Sequence, residues 1–324
     1  MNKVECTLCP RRCKIPEGGR GDCRVRTNVG GKLFSLVYGN PCSVHIDPIE
    51  KKPFFHIVPG STAFSIATAG CNLHCRYCQN WQISQIPPEE AHSEQLLPEE
   101  VVRQALANNC RSIAYTYSDP IVYYEYTCDT AVLAKEKGLL NILVTGGYIE
   151  QEPLLELCKS AHAIKVDLKG ITEEFYKKMS RATLKPVLDA IVTIKKSGVW
   201  LELCNLIVPT WNDSDTDLRQ LIRWVKDNCG EDTPLHFSKF WPMYQLLDLP
   251  PTPDATITRA WEMAKAEGMR FAYVGNIPQH PGNNTYCPHD GKLLVARLGY
   301  EVLENHIKDG KCEYCAKAIP GIWN

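Results

Sequence analysis

Gly70-Cys71-Asn72-Leu73-His74-Cys75-Arg76-Tyr77-Cys78-Gln79-Asn80 places three cysteines four and three residues apart, directly behind the strand-like run Ala63 to Thr68. Three thiolates so spaced can hold three irons of a cubane iron–sulfur cluster and leave the fourth iron open for a small chelating ligand. With sixteen cysteines in 324 residues, a fixed three-cysteine spacing arises by chance only about 0.04 times. The alternatives are a three-cysteine zinc site with a distant fourth ligand, or a ferredoxin-like cluster completed by a remote cysteine.

Working outward from that loop, residues from about Thr62 to Val274 alternate short β-branched runs with amphipathic segments, the pattern of repeated βα units around a parallel sheet. Strands are expected at Ala63–Ala67, Ser112–Tyr117, Asn141–Thr145, Ala163–Leu168, Trp200–Val208, Leu235–Phe240 and Phe271–Val274. Pro98 opens a helix with Glu99 and Glu100 in its first turn, and Gly138 ends one that begins near Ile121. Further helices begin near Asp215, behind Asn212-Asp213-Ser214, and run from Pro253 to Glu267 with Gly268 as the stop. Six or seven such units fall short of the eight of a full TIM barrel, so the expected fold is α/β, an open partial (β/α)6-type barrel. Function then belongs at the C-terminal ends of the strands, where the three-cysteine loop sits. The domain reading is a Cys-rich N-terminal module over residues 1–60, the barrel over 61–278 and a zinc-ribbon-like module over 279–324.

Cys71-x3-Cys75-x2-Cys78, with Tyr77 before the third cysteine, resembles the signature of the radical S-adenosylmethionine (SAM) superfamily. Four further stretches are similar to the AmmeMemoRadiSam-system radical SAM enzymes, relatives of pyruvate formate-lyase activating enzyme. These are Asp47-Pro48-Ile49-Glu50-Lys51-Lys52-Pro53, Tyr115-Thr116-Tyr117-Ser118-Asp119-Pro120, Val166-Asp167-Leu168-Lys169-Gly170 and Tyr273-Val274-Gly275-Asn276. The resemblance implies a radical SAM barrel in which SAM chelates the open iron of a [4Fe-4S] cluster. Reductive cleavage then yields a 5′-deoxyadenosyl radical that abstracts hydrogen from a substrate, while the protein positions the reactants and excludes water. It also implies cofactor contacts: Asp119 to the SAM ammonium, unless it serves as a cap for the following helix, and Asp167 and Lys169 facing the pocket, with Lys169 pairing with the SAM carboxylate. Tyr77 is expected near the adenine, and Asn205, Gly275 and Asn276 at ribose and adenine. No role falls to His74 or the scattered histidines.

Two outer groups carry metal-ligand spacing. Cys6, Cys9, Cys13 and Cys23 supply four thiolates within eighteen residues, suited equally to zinc or to a second, closed iron–sulfur cluster. Cys287-Pro288-His289-Asp290 and Cys312-Glu313-Tyr314-Cys315 form the two knuckles of a possible zinc ribbon. A cysteine would be expected where Asp290 stands, so the fourth ligand is Asp290, His289 or water, or the site has lost its metal. The six remaining cysteines (Cys42, Cys110, Cys128, Cys158, Cys204, Cys229) read as small buried apolar residues.

A content of 44% hydrophobic and 23% charged residues fits a large globular domain with appendages, and the net charge of −1 argues against a protein built chiefly to hold nucleic acid. Residues 1 to 32 nonetheless carry +5, which compensates clustered thiolates or docks an acidic electron carrier. The start Met1-Asn2-Lys3-Val4-Glu5-Cys6 has no apolar leader core, and no stretch approaches the ~20 apolar residues of a membrane span, so the expected location is the cytoplasm. Three functions compete: a radical SAM enzyme of unidentified substrate, an activase of a glycyl-radical enzyme, and a non-catalytic metal-binding module for nucleic acid or protein. The chemistry calls for a low-potential donor such as flavodoxin or ferredoxin, and the resemblance implies association with AMMECR1-like and Memo-like proteins.

Overall fold

The computed structural model describes residues 3–324. Two small antiparallel pairs come first: β1 (Val4–Glu5) with β2 (Lys14–Ile15), and β3 (Arg26–Val29) with β4 (Lys32–Ser35). The central sheet then runs through β5 (Ser43–Pro48), β6 (Thr62–Ala67), β7 (Ser112–Tyr115), β8 (Leu140–Thr145), β9 (Ala163–Asp167), β10 (Trp200–Ile207), β11 (Leu235–Lys239) and β12 (Ala272–Gly275). Its strand order is the chain order, with β6 to β12 parallel and β5 antiparallel on the edge. A parallel sheet wound in one direction carries its right-handed crossovers on one face, so the helices form an outer layer and the sheet curls around its bare face. With β5 and β12 unpaired to each other the curl stays open. The fold is the α/β partial barrel expected, with one more parallel unit than six.

The helices are α1 (Trp81–Ser84), α2 (Pro98–Ala107), α3 (Tyr124–Glu136), α4 (Gln151–Cys158), α5 (Glu173–Phe175), α6 (Leu184–Ser197), α7 (Asp215–Cys229) and α8 (Asp254–Ala266); the six longer ones form the outer layer, and the short α1 and α5 lie beside the three-cysteine loop. Pro98 occupies the first turn of α2, and the Ser214 hydroxyl caps α7 by accepting the Asp217 N–H at 3.1 Å. The apolar stripes of these helices, such as Val101, Val102 and Ala105 of α2, join Phe64, Ile66, Ile164 and Val166 of the sheet's outer side in one core.

Strand β5 comes from the segment that the sequence reading assigns to the N-terminal module. Val44 pairs with Ile66 and Asp47 with Ala63. The connection 49–61 contains a short 3-10 turn at Ile49–Lys51 and no crossover helix, so the return to β6 is antiparallel. This connection forms the floor of the barrel. Ile49, Phe54, Ile57 and Val58 pack with Ala63, Ala114, Ile142 and Ala163 on the inner face near the strand starts.

Beyond β12, β13 (Thr285–Tyr286), β14 (Leu293–Leu298) and β15 (Glu301–Asn305) form an antiparallel sheet, and β16 (Ile307–Lys308) pairs with β17 (Lys311–Cys312). Leu294, Val295 and Ile307 pack on Phe55, Phe271 and Tyr273, which joins this module to the floor and to the edge of β12. Arg297, fully buried, donates to the Phe55 carbonyl at 2.8 Å and lies 3.7 Å from Glu50.

Asp47 ties the edge strand to the floor. Its carboxylate accepts from Lys51 Nζ at 2.8 Å, from Lys52 Nζ at 2.6 Å and from the Tyr117 hydroxyl. Burial alone would raise the Asp47 pKa, but these three donors outweigh it and hold it below the ordinary carboxylate range. Burial also pulls Lys52 down to about 8. Because the Asp47 pKa is depressed on folding, its contribution is complete above about pH 4 and is lost as the pH falls. Asp47→Asn is expected to cost about 3 kcal/mol at pH 7, by stranding a buried lysine, and the gap from wild type should narrow as the pH falls below about 4 in thermal melts. A gap independent of pH would refute this account.

Candidate active site at the strand ends

The loops leaving the C-terminal ends of β6 to β12 surround a cavity of about 780 Å³. Ligand pockets commonly span about 300 to 1,000 Å³, so the space admits a nucleoside-sized molecule with a second reactant beside it. Cys71, Cys75 and Cys78 all line it, the first two buried and the third half-buried. Burial, followed by the charge of Asp119, pushes the Cys71 thiol up, so a metal must displace its proton on binding. The loop is held from outside the cavity. His74 N–H donates to the Ser180 carbonyl at 3.0 Å and Arg76 N–H to the Met179 carbonyl at 2.9 Å, just behind α5.

Asp119 brackets two neighbouring loops. One carboxylate oxygen accepts from Thr145 Oγ1 at 2.8 Å and from the Ile121 N–H at 3.2 Å, and the other accepts the Gly146 N–H at 2.8 Å. The bond to Ile121 is the capping role the sequence offers, and the residue also lines the cavity. Gly146 lets the cysteine loop pack closely, because a Cβ there would lie 2.4 Å from Leu73 Cδ1 and push that side chain aside. Loops after β6, β7 and β8 are thereby locked together.

Across the cavity Asp167 stands between two ammonium groups, Lys165 Nζ at 2.7 Å and Lys169 Nζ at 3.5 Å. Burial alone would discharge Lys169, but Cys75 and Asp167 outweigh it and keep the ammonium charged. Lys169 Nζ also lies 6.0 Å from the centre of the buried Tyr77 ring. Gly275 and Asn276 sit on the rim after β12, with Asn276 exposed. Asn205 is placed elsewhere: Cys204 and Leu206 on either side of it line the cavity, so strand alternation turns Asn205 to the opposite face, where its Nδ2 donates to the Leu168 carbonyl at 2.8 Å. It therefore anchors the Asp167–Lys169 turn from behind.

The structure adds cavity residues that the sequence reading passed over: Lys165, Cys204, His236, Ser238, Lys52 and Tyr117. Cys204 Sγ lies 3.5 Å from Ser238 Oγ, so this cysteine belongs to the cavity wall. His236 Nε2 lies 2.7 Å from Glu202, deeper in the same interior row. The signal for these residues was present as polar side chains two apart along otherwise apolar strands: Lys165 and Asp167, Glu202 and Cys204, His236 and Ser238.

The outer ligand candidates also assemble. Cys6, Cys9, Cys13 and Cys23 line a second, small cavity. Donor atoms of Cys287, Asp290, Cys312 and Cys315 all lie within 4.8 Å of one another, whereas His289 is exposed and outside the group. Among the described residues no helix is long and apolar enough to cross a membrane.

Comparison with known proteins agrees with this geometry. Residues 65–225 match the family model described as Radical SAM superfamily. An uncharacterized protein of Methanocaldococcus jannaschii is 47% identical over 98% of this chain and 95% of its own length. The pyruvate formate-lyase-activating enzyme of Clostridium pasteurianum is 24% identical over 49% of this chain and 67% of its own length. A radical SAM methyltransferase from Sphaerobacter thermophilus superposes with a TM-score of 0.52 at 16% identity, over 71% of this chain and 70% of that one, a likeness of fold. With the cysteine loop at the mouth of the barrel and a family model over its core strands, the chain belongs to the radical SAM superfamily, among relatives of pyruvate formate-lyase activating enzyme and in one family with the M. jannaschii protein.

Proposed function

We propose that this protein is a radical SAM enzyme of the AmmeMemoRadiSam type that generates a 5′-deoxyadenosyl radical to abstract hydrogen from a substrate. The observation that carries the reading is the convergence of Cys71, Cys75 and Cys78 with Asp167 and Lys169 on one cavity at the ends of seven parallel strands. Superfamily membership implies a [4Fe-4S] cluster and SAM, and the donor set fits them: three thiols on one loop, facing a charged lysine across a space large enough for a nucleoside. When bound, the two supply one-electron reductive cleavage of the sulfonium C–S bond.

The chain's own residues contribute binding, orientation and exclusion. Cys71, Cys75 and Cys78 hold the cluster, and Lys169 receives the SAM carboxylate while Asp167 keeps it oriented. Asp119, its oxygens already engaged by Thr145, Gly146 and Ile121, acts by fixing the loops around the SAM ammonium. Tyr77 packs at the adenine, and Gly275 and Asn276 border it. Asn205 acts only through the Leu168 turn. The floor at Phe54 and Ile57 closes the cavity from below, against water. A flavodoxin or ferredoxin in the cytoplasm would supply the electron, with AMMECR1-like and Memo-like proteins as associates.

Reconstituted anaerobically and reduced, the protein is expected to form 5′-deoxyadenosine from SAM, and SAM should change the electron paramagnetic resonance (EPR) spectrum of the reduced cluster. Lys169→Met should weaken SAM binding about tenfold or more, by the loss of a charge-assisted contact. No 5′-deoxyadenosine and an unchanged spectrum would refute the assignment. A second reading, an activase of a glycyl-radical enzyme, is favoured by the similarity to activating enzymes of that kind. It requires a glycyl signal in a co-purifying partner.

The C-terminal group reads as a zinc site in which Asp290 completes Cys287, Cys312 and Cys315. Cys287 Sγ lies 3.7 Å from Cys315 Sγ, close to the roughly 3.8 Å sulfur separation of a tetrahedral zinc site, and the Tyr314 and Cys315 N–H groups point at Cys312 Sγ at 3.4 and 3.5 Å. The holoprotein is expected to carry about one zinc here, and Asp290→Ala should lower its retention against a chelator, followed by a metal-sensitive dye. Equal retention in both proteins would exclude Asp290 as a ligand.

A further inference from the structure

We infer that the N-terminal thiols Cys6, Cys9, Cys13 and Cys23 hold a closed [4Fe-4S] cluster, built against the loop of the three-cysteine site.

Their arrangement separates cluster from zinc where spacing along the chain does not. Four thiolates around one zinc ion lie roughly 3.8 Å apart and leave no space between them. Among the described residues, the C-terminal group is the one set of Cys, His or carboxylate donors drawn within 4.8 Å of one another. The N-terminal four instead line a cavity of about 20 Å³ shared with apolar Leu8 and Ile121 and with the polar Arg11, Arg26 and Asn72. The thiols are therefore spread around a space instead of being drawn onto one point as at the C-terminal group. Cys71, Cys75 and Cys78 are likewise outside the tightly drawn set, and they are the thiols a cubane requires.

The surroundings also suit thiolate ligation. The Asp22 N–H lies 3.4 Å from Cys13 Sγ. The same contact recurs at Cys71, whose sulfur receives the Leu73 N–H at 3.4 Å. Such bonds stabilise sulfur-bound negative charge. The buried Arg26 guanidinium lies beside Cys6 and Cys23, held in place by Glu125 through two bonds of 2.8 Å, and offsets the thiolate charge.

The site is joined to the three-cysteine loop by close contact. Asn72 lines the same small cavity as Cys9, and its carbonyl accepts from Arg11 Nε at 2.7 Å. At Gly70, with φ of +86°, a Cβ would lie 2.5 Å from the Cys23 carbonyl oxygen, so the residue before Cys71 packs directly on the fourth ligand's backbone. His74 of the same loop lies 2.6 Å from Asp22. Having all four irons bound by protein, such a cluster exchanges electrons and leaves no iron for a substrate.

The test uses full-length protein reconstituted anaerobically with iron and sulfide, read by metal analysis and EPR spectroscopy. Wild type should hold about eight irons per chain. The variant C71S/C75S/C78S should keep about four, with a reduced-cluster signal indifferent to SAM. The reciprocal variant C6S/C9S/C13S/C23S should keep about four with a signal that SAM alters, so failure of the catalytic reading shows separately. Zinc without iron in C71S/C75S/C78S, or no metal there at all, would overturn the proposal. Should that variant not fold, about four irons in the wild type would overturn it and about eight would sustain it.

Discussion

The carboxylate of Glu202, buried inside the barrel with no exposure, is the constraint around which the structure closes. One oxygen accepts the His56 N–H at 3.0 Å and Trp200 Nε1 at 3.1 Å, and the other accepts the Phe55 N–H at 3.1 Å and meets His236 Nε2 at 2.7 Å. A carboxylate this far from water is tolerable only when its lone pairs are engaged, so its burial dictates where the floor segment must sit. Phe55 and His56 have no strand or helix to satisfy their N–H groups, and Glu202 supplies both acceptors. His56 then links onward through the Tyr273 hydroxyl at 2.6 Å and the Pro320 carbonyl at 2.6 Å.

From that closed base the interior becomes steadily more polar toward the rim. Ala63, Ile142 and Ala163 meet the floor, Lys165, Glu202 and His236 form the middle, and Asp167, Lys169 and the cysteine loop occupy the mouth. A fully packed TIM barrel fills this space with branched apolar side chains. Here one wall is open and the middle is polar, which leaves room for a reactant while Lys165 pairs with Asp167 and hydrogen bonds engage Glu202. The Asp119 bracket and the Leu73–Gly146 contact give the three cysteines a rigid mount rather than a free loop.

Much of this was legible in the chain. Alternation of β-branched runs and capped helices located seven parallel strands within a few residues, and the cysteine spacing located the site. Strand β5 was not, because Ser43–Pro48 has no crossover helix after it and its inclusion depends on pairing with β6, a long-range choice. Asn205, expected in the pocket, faces away from it, because facing along a strand is set by register, and a slip of one residue exchanges it with its neighbour Cys204. That Asp290, and not His289, stands with Cys287, Cys312 and Cys315 needed distances, since ligand spacing in sequence leaves both open.

Ile57 bridges to Ile322, and the Val58 N–H bonds the Ile322 carbonyl at 2.7 Å, so a stretch from the far end of the chain underpins the floor. During synthesis the strands and the cysteine loop emerge well before residue 322, and the base of the barrel cannot be sealed until that residue has left the ribosome. The nascent barrel thus stays incomplete at its base while the strands above it are already made.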